Sequence, residues 1–345
     1  MTGIAIIGQG YMGQTHAASW TALGQDVKYV CTPRPRGPME AAPNARVVTD
    51  LEAVLADPEV EIVSVCTPTT THREITLAAL EAGKHVLLEK PIALSIDDAL
   101  AIRDAAASAS GSLMVAQVVR FFGGHVLLRE DVEAGRLGRI VSARARRMLQ
   151  RPDWAEWWHD ESKSGGAIVD LAIHDFDQMN LFLGRPVAVT SHRVSTYGPF
   201  ETTIEYADGG LGQVLSHADL APGAPFTAGI SLVGEAGLAD YELSAASPTQ
   251  QEGATSYPGV NAYRLAAAEG GYSREITGDD PYTRQAEYFL GRVGAGEEPV
   301  LSTIGSAVRA LEVALAARES LETGQRVVVD SRVSDVEATG SPSSG

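Results

Sequence analysis

The sequence predicts an α/β protein in two parts: an N-terminal doubly wound parallel sheet, then a second domain with antiparallel strands. Three observations carry this. Short apolar runs alternate with helix-spaced segments from residue 3 to about 116, and near-continuous apolar strands between helices belong to parallel sheets covered on both faces. A glycine-rich turn follows the first run at once. From Val187 the pattern becomes alternating runs separated by Gly turns, as in antiparallel strands with one solvated face. A length of 345 residues suits about two domains.

The first strand, Ile4 to Ile7, leads into a helix over Tyr11 to Leu23. Val27 to Cys31, Glu61 to Cys66, His85 to Leu88 and Leu113 to Ala116 are further strands. Leu51 to Ala56, Thr71 to Ala82 and Ser95 to Ser108 are helices, with Leu, Ile and Ala at helical spacing. Then come a helix around Gly124 to Ala134, a basic strand over Ile140 to Met148, a Trp-rich loop over Pro152 to His159 and one helix over Gly166 to Leu183. Thr202 to Tyr206, Gly212 to His217 and Ala228 to Val233 read as strands, with turns at Asp208-Gly209-Gly210 and Gly234-Glu235. Ser244 to Asp280, rich in Ser, Thr, Gly and Pro, reads as containing a long loop, and helices return at Pro281 to Val293 and Thr303 to Glu322. The polar end reads as a disordered tail. The expected domains are 1–118, 119–332 and a tail over 333–345.

Composition excludes several classes of function. With 44% hydrophobic and 21% charged residues the chain is neither disordered nor a coiled coil. Its 27 Lys+Arg against 44 Asp+Glu give a net charge of -17, which argues against a nucleic-acid partner, because that affinity comes from clustered cations. Cys31 and Cys66 end apolar runs and suit buried thiols in a reducing cytoplasm better than a disulfide framework. No export signal precedes the first strand, and no apolar run nears the roughly 20 residues that span a bilayer. A soluble cytoplasmic protein with no membrane partner is expected.

Gly8-Gln9-Gly10-Tyr11-Met12-Gly13 satisfies G-x-G-x-x-G between a strand and a helix. Gly8 allows the tight turn, Gly10 the approach of a pyrophosphate, and Gly13 close helix packing, while the helix N-terminus offers N–H donors and partial positive charge. The motif therefore predicts a dinucleotide cofactor. An acidic residue ending the second strand would accept the ribose hydroxyls of NAD. Here the chain runs Cys31-Thr32-Pro33-Arg34-Pro35-Arg36, and the two arginines suit a 2′-phosphate or a solvated loop. NADP is favoured over NAD on this ground.

Cys66-Thr67-Pro68-Thr69-Thr70-Thr71-His72 and Ala82-Gly83-Lys84-His85-Val86-Leu87-Leu88-Glu89-Lys90-Pro91 follow. With the glycine loop, these segments resemble the glucose-fructose oxidoreductase / inositol dehydrogenase / rhizopine catabolism (Gfo/Idh/MocA) family. The resemblance continues through Val119-Arg120-Phe121-Phe122, Gly135-Arg136-Leu137-Gly138 and Ser164-Gly165-Gly166-Ala167-Ile168-Val169-Asp170-Leu171-Ala172-Ile173-His174-Asp175. It covers most of residues 3 to 185 and is architectural beyond. It implies a Rossmann domain, a C-terminal α+β domain with an open, mostly antiparallel sheet used for oligomerisation, and reversible hydride transfer between nicotinamide and a sugar, polyol or cyclitol. Lys90, Asp170 and His174 match the family's catalytic trio. Candidate cofactor contacts are Gly8, Gly10, Tyr11, Met12, Gly13, Thr32, Arg34, Thr67, His72, Glu89 and Lys90; candidate substrate contacts are Gln117, Trp157, Asp170 and His174. Gln117 departs from the family's aromatic or histidine at that position, and Gly123 from a frequent proline.

Independent chemistry points the same way. Thr67 and Glu89-Lys90-Pro91 follow parallel strands, whose carboxyl ends border ligand crevices. Asp170 and His174, four apart, share a face of an otherwise apolar helix. An imidazole is matched to accept an alcohol proton near neutrality, and a lysine ammonium to stabilise developing alkoxide; Asp170 would orient substrate and His174. Which of Lys90 and His174 takes the proton first stays open. Trp154, Trp157 and Trp158 suit either a sugar-stacking wall or an interface, and Glu89 either a ribose contact or an ion pair. His159-Asp160-Glu161 and His174-Asp175 lack a third ligand at a recognised spacing, so no metal is expected. An NAD-dependent glycosidase and a non-catalytic nucleotide sensor are the alternatives. An open sheet face leaving apolar surface predicts a homodimer or homotetramer.

Overall fold

The computed structural model describes residues 1–151, 156–245 and 259–339. Two compact units share the chain: residues 1–121, 280–308 and the described residues from 336 in the first, 122–279 and 309–335 in the second. In the first, β1 (Gly3–Ile7), α1 (Tyr11–Ala22), β2 (Asp26–Cys31), β3 (Arg46–Val48), α2 (Leu51–Ala56), β4 (Ile62–Val65), α3 (His72–Glu81), β5 (His85–Glu89), α4 (Ile96–Ser108) and β6 (Leu113–Ala116) alternate. The strands form one parallel sheet in the order β3-β2-β1-β4-β5-β6. β1, β4 and β6 are buried along their whole length, which is why their sequences are continuous apolar runs rather than alternating ones. The order reverses between β1 and β4, and the crevice beyond their carboxyl ends is where such sheets take ligands. Asp50 and Ser95 cap α2 and α4, accepting from Ala53 N and Asp98 N.

The second unit contains α5 (Gly123–Glu133), β7 (Ile140–Gln150), α6 (Glu161–Ser164), α7 (Gly166–Asp170), α8 (Ile173–Leu183), β8 (Pro186–Arg193), β9 (Phe200–Tyr206), β10 (Leu211–Leu220), β11 (Phe226–Gly234), β12 (Gly237–Ala245), β13 (Val260–Ala267) and β14 (Gly270–Glu275). Next follow α9 (Pro281–Ala295), α10 (Ile304–Thr323), β15 (Val327–Val328) and α11 (Asp335–Thr339). The second sheet runs β14-β13-β12-β11-β7-β10-β9-β8-β15. Only its β7/β10 pair is parallel among the pairs described. One face is buried and tied to α8: Arg147 of β7 makes two 2.9 Å bonds to Asp175, and Tyr206 of β9 donates to Asn180 at 3.0 Å.

Four expectations need correction. The division into 1–118 and 119–332 is not one of continuous stretches: α9 carries Ala286 and Phe289 into the core around Ile4, Ile6 and Trp20, so it belongs with the parallel sheet. The tail expected from 333 is folded through Thr339, where Val333 and Ala338 are buried and Thr303 Oγ1 donates to Glu337 O at 2.7 Å; its residues 340–345 lie outside the described ones. Within Ser244 to Asp280, read as containing a long loop, residues 246–258 lie outside the described ones, and β13 and β14 form a hairpin that buries Tyr263 and Leu265. The single helix expected over Gly166 to Leu183 is two, α7 and α8, because Ala172 N bonds Ala167 O, five residues back, at 3.1 Å, a local widening of the helical ladder. The open sheet face is polar rather than apolar. Arg144, Arg146, Glu201 and Arg264 are exposed on it, Arg146 pairs with Glu242 at 2.7 Å, and among its exposed large apolar side chains are a row of Leu211, Val233 and Leu238 and, apart from it, Val260. Among the described residues no helix is long and apolar enough to cross a membrane.

Candidate active site

The glycine loop has the geometry its spacing predicts. Gly8 has φ +111°, and a Cβ there would lie 2.4 Å from Cys66 O; one on Gly13 would lie 2.1 Å from Gly8 O. Those two are glycines because backbone packs on backbone. Gly10 differs, since a Cβ on it would meet no protein atom within 4 Å. As the N-cap of α1 it also has no side-chain hydrogen bond to the first turn, leaving those N–H donors to a ligand. A dinucleotide pyrophosphate fits this cradle: close-packed behind, open in front, and lined by donors. Tyr11, 52% exposed, and Met12 open the helix.

Thr32 is buried at the end of β2 and Arg34 and Arg36 are exposed beyond it. The glycine loop holds this basic segment in place: the Gln9 amide donates to Gly37 O at 2.6 Å and accepts from Arg36 N at 2.9 Å. The sequence reading passed over Gln9, an unspecified position of the motif.

Beyond β4 and β5, Thr67 is half-buried and its hydroxyl meets that of Thr71 at 2.8 Å. His72 was expected to contact cofactor; instead it is 1% exposed, and its ring nitrogens face Pro91 O and Thr67 O at 2.9 Å each. It therefore joins the two strand-end loops from beneath. Glu89, read as either a ribose contact or an ion pair, is buried with Oε1 2.9 Å from His16 Nε2 and Oε2 accepting the Lys90 N–H at 3.1 Å, the ion-pair arrangement. Lys90 itself is half-buried and follows directly on β5. Gln117 was expected to touch substrate. It is buried, with the Ser302 and Ser306 hydroxyls each 2.9 Å from its Oε1, and so ties the end of β6 to the chain entering α10.

In the second unit, every residue from 164 to 180 is buried except Asp170 and His174. The two lie on either side of the widened turn, ending α7 and beginning α8, so they do not share one unbroken helix face as expected. Trp158 donates its indole N–H to Asp170 Oδ2 at 2.8 Å. Trp158 is 5% exposed and stacks on Tyr197, ring centroids 5.8 Å apart at 16°, with Arg151 over the Tyr197 ring at 4.0 Å. Trp157, the tryptophan singled out from sequence, is half-buried next to it; Trp154 lies outside the described residues. His159 is exposed, and Asp175, considered with His174 for a metal, is bound instead by Arg147. Among the described residues no three His, Cys, Asp or Glu are grouped to hold a metal.

Comparison with known proteins bears on both units. Residues 2–117 match the oxidoreductase family with an NAD-binding Rossmann fold, and residues 125–240 the GFO/IDH/MocA C-terminal domain. The chain is 36% identical to 1,5-anhydro-D-fructose reductase of Ensifer adhaerens over 164 residues, 46% of this chain and 49% of that protein. It is 26% identical to scyllo-inositol 2-dehydrogenase (NAD(+)) of Bacillus subtilis strain 168 over 94% of this chain and 96% of that one. The first curated relatives it matches are spanned over about half their length. Among solved structures, GenD2 from gentamicin A biosynthesis in complex with NAD superposes with a TM-score of 0.79 at 26% identity, covering 95% of this chain and 96% of that one.

Proposed function

The chain belongs to the Gfo/Idh/MocA oxidoreductase family, and from that premise we propose that it is an NAD(P)-dependent dehydrogenase or reductase of a sugar, polyol or cyclitol hydroxyl. The observation that carries this reading is that Asp170 and His174 alone keep solvent access along 164–180. Two polar side chains left open on a buried segment, one of them aimed by a Trp158 N–H, are a site rather than a core.

Oxidising a secondary alcohol removes a proton from oxygen and a hydride from carbon; a bound nicotinamide dinucleotide supplies the hydride acceptor, and in the reverse direction the donor. Gly8, Gly10, Gly13 and the α1 N-terminus would hold its pyrophosphate. Lys90 hydrogen-bonds the reacting oxygen and stabilises negative charge as it develops. His174 takes the hydroxyl proton. Asp170, with one oxygen fixed by Trp158, orients a neighbouring substrate hydroxyl. Arg34 and Arg36, on the loop that Gln9 holds, favour a 2′-phosphate and hence NADP over NAD. The mixed-charge sheet face with its row of Leu211, Val233 and Leu238 supports a homodimer or homotetramer, which a mass by light scattering at micromolar concentration tests. A cytoplasmic location fits two buried free cysteines.

The deciding experiment is a screen of sugars and inositols by nicotinamide absorbance with NAD and NADP, on wild type, Lys90→Met and His174→Ala. Each variant should lose roughly two to four powers of ten in turnover with cofactor affinity little changed. In His174→Ala the acidic limb of the oxidation pH profile should vanish, because that limb reports protonation of the base. Near-normal turnover in both variants would overturn the mechanism.

A further inference from the structure

Between the phosphate-loop helix and the segment carrying Lys90 lie two buried ionisable groups that the mechanism above does not use. His16 sits on the inner face of α1, in line with Gly13, Ala17 and Trp20, and is 2% exposed; Glu89 ends β5 and is 6% exposed. Nε2 of His16 and Oε1 of Glu89 are 2.9 Å apart. The other carboxylate oxygen accepts the main-chain N–H of Lys90 at 3.1 Å. One carboxylate thus joins the helix that follows the glycine loop to the backbone of the candidate catalytic lysine.

Stability alone does not call for this arrangement. Burying an ion pair brings a desolvation penalty for both partners, and apolar residues of similar volume often serve a core as well or better. The neighbouring positions on α1 are indeed filled by Ala17 and Trp20. What apolar packing cannot supply is a directional acceptor for one particular N–H at the end of β5. Burial opposes charging His16, while the Glu89 carboxylate 2.9 Å away favours its protonated form and its pKa is raised, so the imidazole can serve as counter-charge for Glu89.

We propose that His16 and Glu89 are a positioning pair that fixes the backbone at Lys90, and through it the placement of the lysine ammonium, relative to the helix that holds the cofactor phosphates. The proposal rests on the reading of Lys90 as the residue that stabilises the reacting oxygen. Neither His16 nor Glu89 touches substrate in this scheme; both act through Lys90.

The test uses His16→Gln, Glu89→Gln and the double variant, which keeps side-chain amides in hydrogen-bonding reach and leaves no unpaired buried charge, so that it folds if a single variant does not. The chain has four lysines, Lys28, Lys84, Lys90 and Lys163. Reductive 13C-methylation of the cofactor-free protein therefore gives a countable set of side-chain NMR signals, with Lys90 assigned by its loss in Lys90→Met. The Lys90 signal should move in all three variants while those of Lys28, Lys84 and Lys163 stay. On the sugar or inositol that wild type turns over fastest, kcat should fall roughly 10- to 100-fold, as for a misplaced catalytic group, with the Kd for NADPH held. The double variant should be no slower than the slower single, since the pair acts as one unit. An unmoved Lys90 signal overturns the proposal, as does a Kd that weakens in step with kcat. If Lys90→Met keeps wild-type turnover, the assignment of Lys90 fails; if Lys90→Met is inactive while all three pair variants are as fast as wild type, the pair alone is excluded.

Discussion

At the scale of single residues, Trp158 deserves to stand with Asp170. A carboxylate exposed on a buried segment can turn, and the indole N–H bonded to Oδ2 at 2.8 Å stops it from doing so. Trp158→Phe keeps the ring stacked on Tyr197 and deletes that one donor, so it separates packing from orientation. The expected loss is about 1.5 to 3 kcal/mol in transition-state stabilisation, the usual range for a hydrogen bond to a charged group, or roughly 10- to 150-fold in kcat/KM. Thermal stability should change little. Equal kcat/KM in wild type and Trp158→Phe would show that Asp170 needs no such support. The sequence reading took Trp157 as the substrate contact although nothing in the residues separates it from Trp158, both being large, amphipathic and adjacent; the 3-10 turn over Glu156–His159 buries Trp158 and leaves Trp157 half open. His16 escaped the sequence, because α1 has no marked apolar stripe to show which side is packed; the fold buries it in line with Gly13, Ala17 and Trp20, where an imidazole needs partners.

At the scale of elements, local rules gave what is local. Period and glycine chemistry identify β1, the glycine loop and α1, since both are set by near neighbours in the chain. The widened turn between α7 and α8 escaped because Val169-Asp170-Leu171-Ala172-Ile173 contains no Gly or Pro to mark a break. The β13–β14 hairpin escaped because its outer strand is mostly exposed and polar, with only Tyr263 and Leu265 of β13 fully buried in the pair. The glycine loop also yields a contrast between its own members. Gly10→Val adds a side chain where no protein atom lies within 4 Å, so the fold should stand while NADPH binding, read by fluorescence, is lost. Gly13→Ala puts a Cβ 2.1 Å from a backbone oxygen, and overpacking of this kind costs about 1 to 3 kcal/mol. Its melting temperature should fall. Were Gly10→Val to bind NADPH as wild type does, the loop would not be the pyrophosphate site.

At the scale of the whole chain, the discontinuous units were hidden from sequence because they are made by contacts across more than 150 residues, such as Phe289 against the β1 core. The buried histidines are tuned differently: His72 of the first unit and His125 of the second are lowered by burial while His16 of the first is raised, so acid works against both units and alkali against the first. In the second unit, burial, with the Arg147 and Arg129 charges adding to it, pushes His125 from 6.5 down to about 3. Between these values the unfolded chain binds a proton that the folded unit refuses, so stability falls as pH drops through that window, by on the order of a few kcal/mol. In the first unit, His16 is raised from 6.5 to about 10. Its contribution is fully present below 6.5 and is lost as pH rises towards 10, because there the folded unit holds a proton the unfolded chain has released. Amide hydrogen exchange, corrected for intrinsic rates and compared at acidic, neutral and alkaline pH, should show α5 and α8 losing protection in acid, with α3 around His72 following the same direction, and β1, α1 and β5 losing it first in alkali. His125→Gln should flatten the acid response of the second unit and His16→Gln the alkaline response of the first, each without altering the other. Protection lost equally from both units at both extremes, or responses that survive these substitutions, would show that general charge repulsion in a chain of net charge -17, rather than these two imidazoles, sets the pH limits of the fold.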